Sequence, residues 1–147
     1  MSALRGVVVG HGNLAAAMVH AAEEITGVRG MLVPVSNVDC SRDDLEARVK
    51  AAVGGEPSLV FVDLPGGSCF FAAMRGLGKL ENARVVAGVN LTMLVDFVFH
   101  RDVALDEAAT RASRSSRLQS TLETGTSMPR TPVISSAACT MAAARSP

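Results

Sequence analysis

Four short apolar runs rich in β-branched residues alternate with helix-like segments over the first 110 residues of this 147-residue chain. The predicted strands cover residues 4–10, 30–36, 58–63 and 83–90, and the predicted helices cover residues 13–25, 41–53, 68–80, 91–100 and 105–113. Near-continuous apolar strands that alternate with helices are typical of a parallel sheet covered on both faces. We therefore expect an α/β fold, with a doubly wound, mostly parallel four-stranded sheet and helices on both faces.

The composition changes after residue 110. Acidic residues outnumber basic ones up to that point, whereas residues 111–147 carry five Arg, eight Ser and a single Glu. The last part of this stretch shows little apolar periodicity, so it cannot bury enough surface to offset its ordering entropy. We predict a domain over residues 1–120 and a Ser-, Ala- and Pro-rich extension over 121–147. Within the extension, TPVISSA (131–137) is a candidate for a fifth, antiparallel edge strand.

Composition also excludes several functional classes. The formal net charge is zero, and Trp and Tyr are absent, which argues against a nucleic-acid-binding protein. No apolar run approaches the ~20 residues of a membrane span, and the first residues do not resemble a secretory signal. Three widely separated cysteines without a CxxC pair fit neither a disulfide scaffold nor a zinc ribbon. These features predict a cytoplasmic protein.

Residues capable of chemistry follow the first and third predicted strands. His11 stands between two glycines after the first strand, and Asp63 ends the third. The turn Gly66-Gly67-Ser68 then leads into the next helix. Because ligands of such sheets bind at the carboxyl ends of the strands, we expect these residues to lie close together.

A histidine in this setting is suited to accept a phosphoryl group. One nitrogen of the neutral imidazole attacks phosphorus, while Asp63 accepts a hydrogen bond from the other ring N–H and stabilises the charged product. Backbone N–H groups at Gly12, Gly66 and Gly67 and the hydroxyl of Ser68 are the predicted ligands of the phosphoryl oxygens. This chemistry requires no metal and no cofactor. From the residues alone, a packing or capping histidine beside an ordinary turn is the commoner arrangement.

Three segments in order carry a family resemblance: VVVGHGNLAAAM, VFVDLPGGSCFFAA and VVAGVNLTMLVD. Together they resemble the IIA component of the mannose family of the bacterial phosphoenolpyruvate:sugar phosphotransferase system, over roughly residues 4–110. The resemblance implies that His11 accepts phosphate from the phosphocarrier protein HPr and passes it to a IIB component. It places Asp63 and Ser68 at the family's hydrogen-bonding positions. Cys69 and Thr92 stand where the family usually has Pro.

The resemblance has further implications for partners. Family members commonly form a homodimer, and they meet the membrane only indirectly, through the sugar permease complex. Two other functions stay open at this point: a regulatory IIA protein whose phosphorylation state is read by a partner, and a non-catalytic module that binds a small anion beside His11 and Ser68. Cys69 is interpreted as a small buried hydrophobic residue.

Overall fold

Strands and helices alternate along the chain in the computed structural model, which describes residues 3–124 and the side chains of residues 3–115. The strands are β1 (Arg5–Gly10), β2 (Leu32–Ser36), β3 (Ser58–Val62) and β4 (Ala83–Ala87). The helices are α1 (Leu14–Thr26), α2 (Arg42–Val53), α3 (Ser68–Leu77), α4 (Leu91–Phe99) and α5 (Leu105–Thr124). All four strands and the first four helices lie within three residues of their predicted bounds.

The four strands form one parallel sheet in the order β2-β1-β3-β4. The predicted α/β fold with a parallel four-stranded sheet is therefore confirmed. The strand order reverses direction between β1 and β3, which makes this junction the switch point of the sheet. Pro34 lies in β2, which is an edge strand. A proline has no backbone N–H to donate, and an edge strand tolerates this because it has a neighbour on one side only.

Helices cover both faces of the sheet, because the central strands are apolar on both sides. All five residues of β3 are buried, as are the last five of β1. One core lies between the sheet and α1, α4 and α5, where Phe61 and Phe97 meet edge to face at 5.4 Å. The second core lies between the sheet and α2 and α3. This arrangement leaves the carboxyl edge of the strands to loops and helix starts.

Helix α5 differs from its prediction. It runs from Leu105 to Thr124, so the predicted end at residue 113 is wrong, and the helix crosses the domain boundary predicted at residue 120. No glycine or proline interrupts these 20 residues, and a rise in Ser and Arg content does not by itself stop a helix. The candidate strand 131–137 lies outside the described residues. Within residues 3–124, no helix combines the length and the apolar character needed to cross a membrane.

Candidate functional site

The switch point brings together residues that are far apart in sequence. His11 follows β1 and Asp63 follows β3, and these two strands are hydrogen-bonded neighbours. The ladder continues past the last paired residues, because the N–H of Asp63 donates to the carbonyl of Val9 at 3.2 Å. As predicted from the strand ends, His11, Asp63 and Ser68 lie within contact distance in one cluster.

Asp63 holds His11 by two hydrogen bonds to the same carboxylate oxygen. The ring Nδ1 lies 2.7 Å from Asp63 Oδ2, and the backbone N–H of His11 donates to that oxygen at 2.9 Å. The other oxygen, Oδ1, accepts the N–H of Leu64 at 2.8 Å. The carboxylate is nearly enclosed, with 8% of its side chain exposed. Both the backbone and the ring of His11 are therefore fixed by one residue.

The electrostatics of this pair determine which nitrogen of His11 carries its proton. Burial by itself raises the pKa of the Asp63 carboxyl, but the hydrogen bonds and charge of His11 and the N–H of Leu64 outweigh it, so the net pKa is lowered. An ionised carboxylate only accepts hydrogen bonds, so Nδ1 must be the protonated nitrogen. The lone pair of the neutral imidazole then resides on Nε2.

The Nε2 atom points toward the start of α3. Ser68 Oγ lies 3.1 Å from it, and its hydroxyl donates to the lone pair in this tautomer. The His11 side chain is 42% exposed, which leaves the imidazole open to a reactant from solvent. An oriented, accessible imidazole nitrogen beside a hydroxyl is suited to nucleophilic attack.

Two glycines shape the turn that leads into α3. Gly66 has φ +76°, a left-handed conformation that side chains disfavour. At Gly67, a Cβ would lie 3.4 Å from His11 Cε1, so the absence of a side chain lets the turn approach the ring closely. The N–H groups of the first turn of α3 have no acceptor within the helix, and Phe71 is the first to bond back, to Gly67. The N–H of Gly67, predicted as a ligand of the phosphoryl oxygens, instead donates to the carbonyl of Leu64 at 3.2 Å.

The backbone N–H of Gly12, predicted to donate a hydrogen bond to the phosphoryl oxygens, has a different partner in the structure. Its N–H donates to Oδ1 of Asn37 at 3.0 Å, and its carbonyl accepts the Ser36 hydroxyl at 2.6 Å. The N–H of Asn37 in turn donates to Gly10 at 3.3 Å. The end of β2 therefore clamps the loop that carries His11, and the Gly12 N–H is available to another acceptor only if the bond to Asn37 exchanges.

Ser36 and Asn37 are the residues that sequence reasoning missed. A signal for them was present, because they follow the second predicted strand in the same way that His11 and Asp63 follow the first and third. Asn90, the polar residue after β4, has a structural role instead: it caps α4 by accepting the N–H of Met93 at 3.0 Å.

Cys69 is buried, as predicted, with no exposed surface. Its Sγ atom lies 3.7 Å from His11 Nδ1, a proximity that the sequence interpretation did not include. Burial and the nearby Asp63 carboxylate raise the pKa of this thiol to about 11. His11, Asp63 and Cys69 together offer three metal-ligating atoms within 4.8 Å of one another.

A pocket of about 300 Å³ opens beside Ser68. Its walls are formed by Arg42 from α2 and by Ser68, Phe71 and Arg75 from α3. Phe71 is 54% exposed and offers apolar surface beside the two arginines. The surface next to the reactive nitrogen is therefore both apolar and positively charged.

The two other histidines lie in helices and make local contacts. His20 on α1 pairs with Glu24 at 3.8 Å, and His100, which caps α4, lies 2.9 Å from the carbonyl of Asp96 through Nδ1. Neither contact involves His11, Asp63 or Ser68.

Comparison with known proteins gives a family match. The model of the EIIA-man family, described as PTS system fructose IIA component, matches residues 6–113. A comparison with curated proteins gives no match.

Solved structures of similar fold include three phosphotransferase-system proteins. The mannose/sorbose specific IIA subunit from Enterococcus faecalis is 25% identical, with a TM-score of 0.70 over 87% of this chain and 98% of that one. The component EIIA from Streptococcus agalactiae is 24% identical, with a TM-score of 0.73 over 79% of this chain and 94% of that one. The IIA protein associated with the fucose utilization operon from Streptococcus pneumoniae is 22% identical, with a TM-score of 0.60 over 81% and 98%.

Proposed function

The chain belongs to the EIIA-man family of phosphotransferase-system IIA components, and on that premise we propose that it is a cytoplasmic phosphoryl carrier that uses His11. It takes a phosphoryl group from the phosphohistidine of HPr and passes it to a IIB component for sugar uptake. The observation that carries the proposal is the hydrogen bond of 2.7 Å between His11 Nδ1 and Asp63, because it places the ring proton on Nδ1 and leaves the lone pair on Nε2, beside Ser68.

The reaction is a displacement at phosphorus. The lone pair of His11 Nε2 forms a new N–P bond while the N–P bond of the donor breaks, and the bonding electrons return to the donor imidazole. The phosphorylated ring of His11 carries a positive charge, as an imidazolium does, and the carboxylate of Asp63 stabilises that charge by accepting the Nδ1–H hydrogen bond. Transfer to the IIB component reverses the same steps. The protein contributes positioning and electrostatics, as is usual for phosphoryl transfer.

The surroundings of Nε2 support a role in binding the phosphoryl oxygens. The Ser68 hydroxyl, at 3.1 Å, is free to rotate from the ring nitrogen to an oxygen of the new phosphoryl group. The N–H groups and the positive end of α3 face the same region. Gly66 and Gly67 serve this site by allowing the turn, and Gly12 serves it through the conformation of the His11 loop.

The pocket beside Ser68 supports docking of a phosphorylated protein partner. Arg42 and Arg75 attract a donor that carries a phosphoryl group, and the exposed ring of Phe71 offers apolar contact area. Leu64, 56% exposed, also lies close to Gly67, since a Cβ built at Gly67 would be 3.4 Å from Leu64 Cδ2. A small contact of this kind suits a carrier that must release each partner after transfer.

The proposal is tested by incubating the protein with phosphoenolpyruvate, enzyme I and HPr and locating the adduct by mass spectrometry. We expect one acid-labile, alkali-stable phosphoryl group, absent in His11→Ala. His20→Ala and His100→Ala are matched controls, because they remove the two other histidines of the chain. Label that persists in His11→Ala would refute the assignment, and a module that merely binds anions would retain no covalent phosphate.

A further inference from the structure

The thiol of Cys69 lies against the same ring nitrogen that Asp63 holds. Its Sγ is 3.7 Å from His11 Nδ1, and the carboxylate of Asp63 completes a set of three donor atoms within 4.8 Å. Phosphoryl transfer gives no role to a thiol at this position. We propose that His11 Nδ1, a carboxylate oxygen of Asp63 and Cys69 Sγ bind one Zn²⁺ ion, and that the bound ion prevents phosphoryl acceptance.

The separation of His11 Nδ1 from Cys69 Sγ suits tetrahedral zinc. Zinc bonds of about 2.0–2.3 Å at tetrahedral angles separate a nitrogen and a sulfur ligand by about 3.6 Å. The observed separation of Nδ1 and Sγ is 3.7 Å. The contact between Nδ1 and Oδ2, now 2.7 Å, must lengthen by less than about 1 Å to admit the ion between them. Water supplies the fourth ligand.

The charges of the three side chains also suit a divalent cation. Asp63 is ionised, and a metal-bound thiol loses its proton, so two negative charges meet the two positive charges of zinc.

Zinc binding and phosphoryl acceptance need opposite tautomers of His11. As an acceptor, the ring holds its proton on Nδ1 and its lone pair on Nε2. As a zinc ligand, it gives the Nδ1 lone pair to the metal and holds its proton on Nε2, where Ser68 Oγ accepts it. The thiol proton leaves to solvent, so one proton is released for each ion bound. With no lone pair on Nε2, the zinc-bound ring cannot attack phosphorus.

Metal binding is tested on full-length, metal-free protein with Co²⁺ as a spectroscopic probe. We expect one equivalent to produce a thiolate-to-cobalt charge-transfer band in the near ultraviolet, which Zn²⁺ abolishes by displacement. The double variant Cys40→Ala/Cys139→Ala, which keeps Cys69 as the only cysteine, should retain the band. Cys69→Ala should lose it, and His11→Ala should weaken Co²⁺ binding at least about tenfold.

Two results would overturn the zinc site: no charge-transfer band in the wild type, or a band that survives in Cys69→Ala. Cys69→Ser is a second variant that preserves the volume of the buried side chain, and circular dichroism verifies the fold of each variant. Because it retains a weaker oxygen ligand, Cys69→Ser should lose the sulfur band while remaining folded.

Inhibition rests on the proposed function and is tested separately. Phosphoramidate, a small phosphoryl donor, labels histidine without a protein partner. When zinc occupies about nine-tenths of the wild-type protein, the rate of labelling should fall about tenfold, in proportion to the free fraction. In Cys69→Ala the same zinc concentration should leave that variant's own rate unchanged. Equal wild-type rates with and without zinc would refute the switch. Failure of metal-free protein to accept label would refute the carrier function and leave the cobalt result standing.

Discussion

His11 Nδ1 lies 2.7 Å from Asp63 Oδ2, although the two residues are 52 positions apart in the sequence. The same oxygen also accepts the backbone N–H of His11 at 2.9 Å. One carboxylate therefore sets the backbone, the ring orientation and the tautomer of the histidine. This relationship makes several consequences measurable.

Replacing Asp63 by Asn should slow phosphoryl transfer while preserving the fold. The amide keeps the shape of the carboxylate but removes the negative charge that stabilises the phosphorylated ring. Loss of one charge-assisted hydrogen bond corresponds to about 1.5–3 kcal/mol, or roughly ten- to a hundredfold in rate. The measurement is the rate of transfer from phospho-HPr. Asp102→Asn is the control, because Asp102 is exposed and lies away from His11. The residue before it, Arg101, accepts the N–H of Leu4 at the amino end of β1, whereas His11 follows the carboxyl end. Equal rates for both variants would contradict the role of Asp63.

Stability should depend on pH through the same carboxyl. Because folding lowers the pKa of Asp63 below its usual value of 3.8, its contribution to stability is complete above that value. The contribution is lost as the pH falls through the lower pKa of the folded state. In urea unfolding, the free energy of unfolding of Asp63→Asn should therefore be lower than that of wild type at about pH 7, and the difference should be smaller at about pH 3. A difference that is constant over this range would contradict the lowered pKa.

Replacing Asn37 by Ala should disturb the loop that carries His11. The Gly12 N–H would lose its acceptor, an effect of about 0.5–1.5 kcal/mol. We expect transfer to slow by roughly two- to tenfold. Asn82→Ala is a matched control, since Asn82 donates to Gly55 and Glu56 away from the site. A rate for Asn37→Ala that matches the Asn82→Ala rate would show that the clamp does not position the histidine.

Partner docking should depend on the pocket beside Ser68. Phe71→Ser and Arg75→Glu should raise KM for phospho-HPr with little change in kcat, because they weaken encounter rather than chemistry. Labelling by phosphoramidate, which needs no docking, should be unchanged. Phe99→Ser is the matched control, as Phe99 is similarly exposed (59%) at the end of α4. An equal rise in KM for Phe99→Ser would argue against a specific docking surface.

A stability prediction concerns Gly6 in β1. A Cβ at this position would lie 2.5 Å from Leu32 Cδ2 and 2.7 Å from Phe97 Cε1, both in the core. Gly6→Ala should therefore destabilise the protein by about 1–3 kcal/mol in chemical denaturation. Gly55→Ala is the control, because nothing lies within 4 Å of a Cβ there. Wild-type stability in Gly6→Ala would mean that the core relaxes around the added methyl group.

The sequence by itself determined the four strands, the first four helices, the class of sheet and the main pair of the site. Apolar runs and helical spacing are local patterns, so they predicted the strands and the first four helices closely. His11 and Asp63 were found because parallel strands present their carboxyl ends at one edge. The family match over residues 6–113 spans these motifs. The homodimer stays a prediction, as does the strand at 131–137, which lies outside the described residues.

Only the tertiary structure decided which loops meet around His11. The order β2-β1-β3-β4 places the end of β2 beside β1, and this brings Asn37 to Gly12. The packing of α3 against the face of the sheet brings the buried thiol of Cys69 within 3.7 Å of the reactive ring. Both contacts depend on strand order and helix packing, which arise from side chains distant in sequence and leave no local pattern to read.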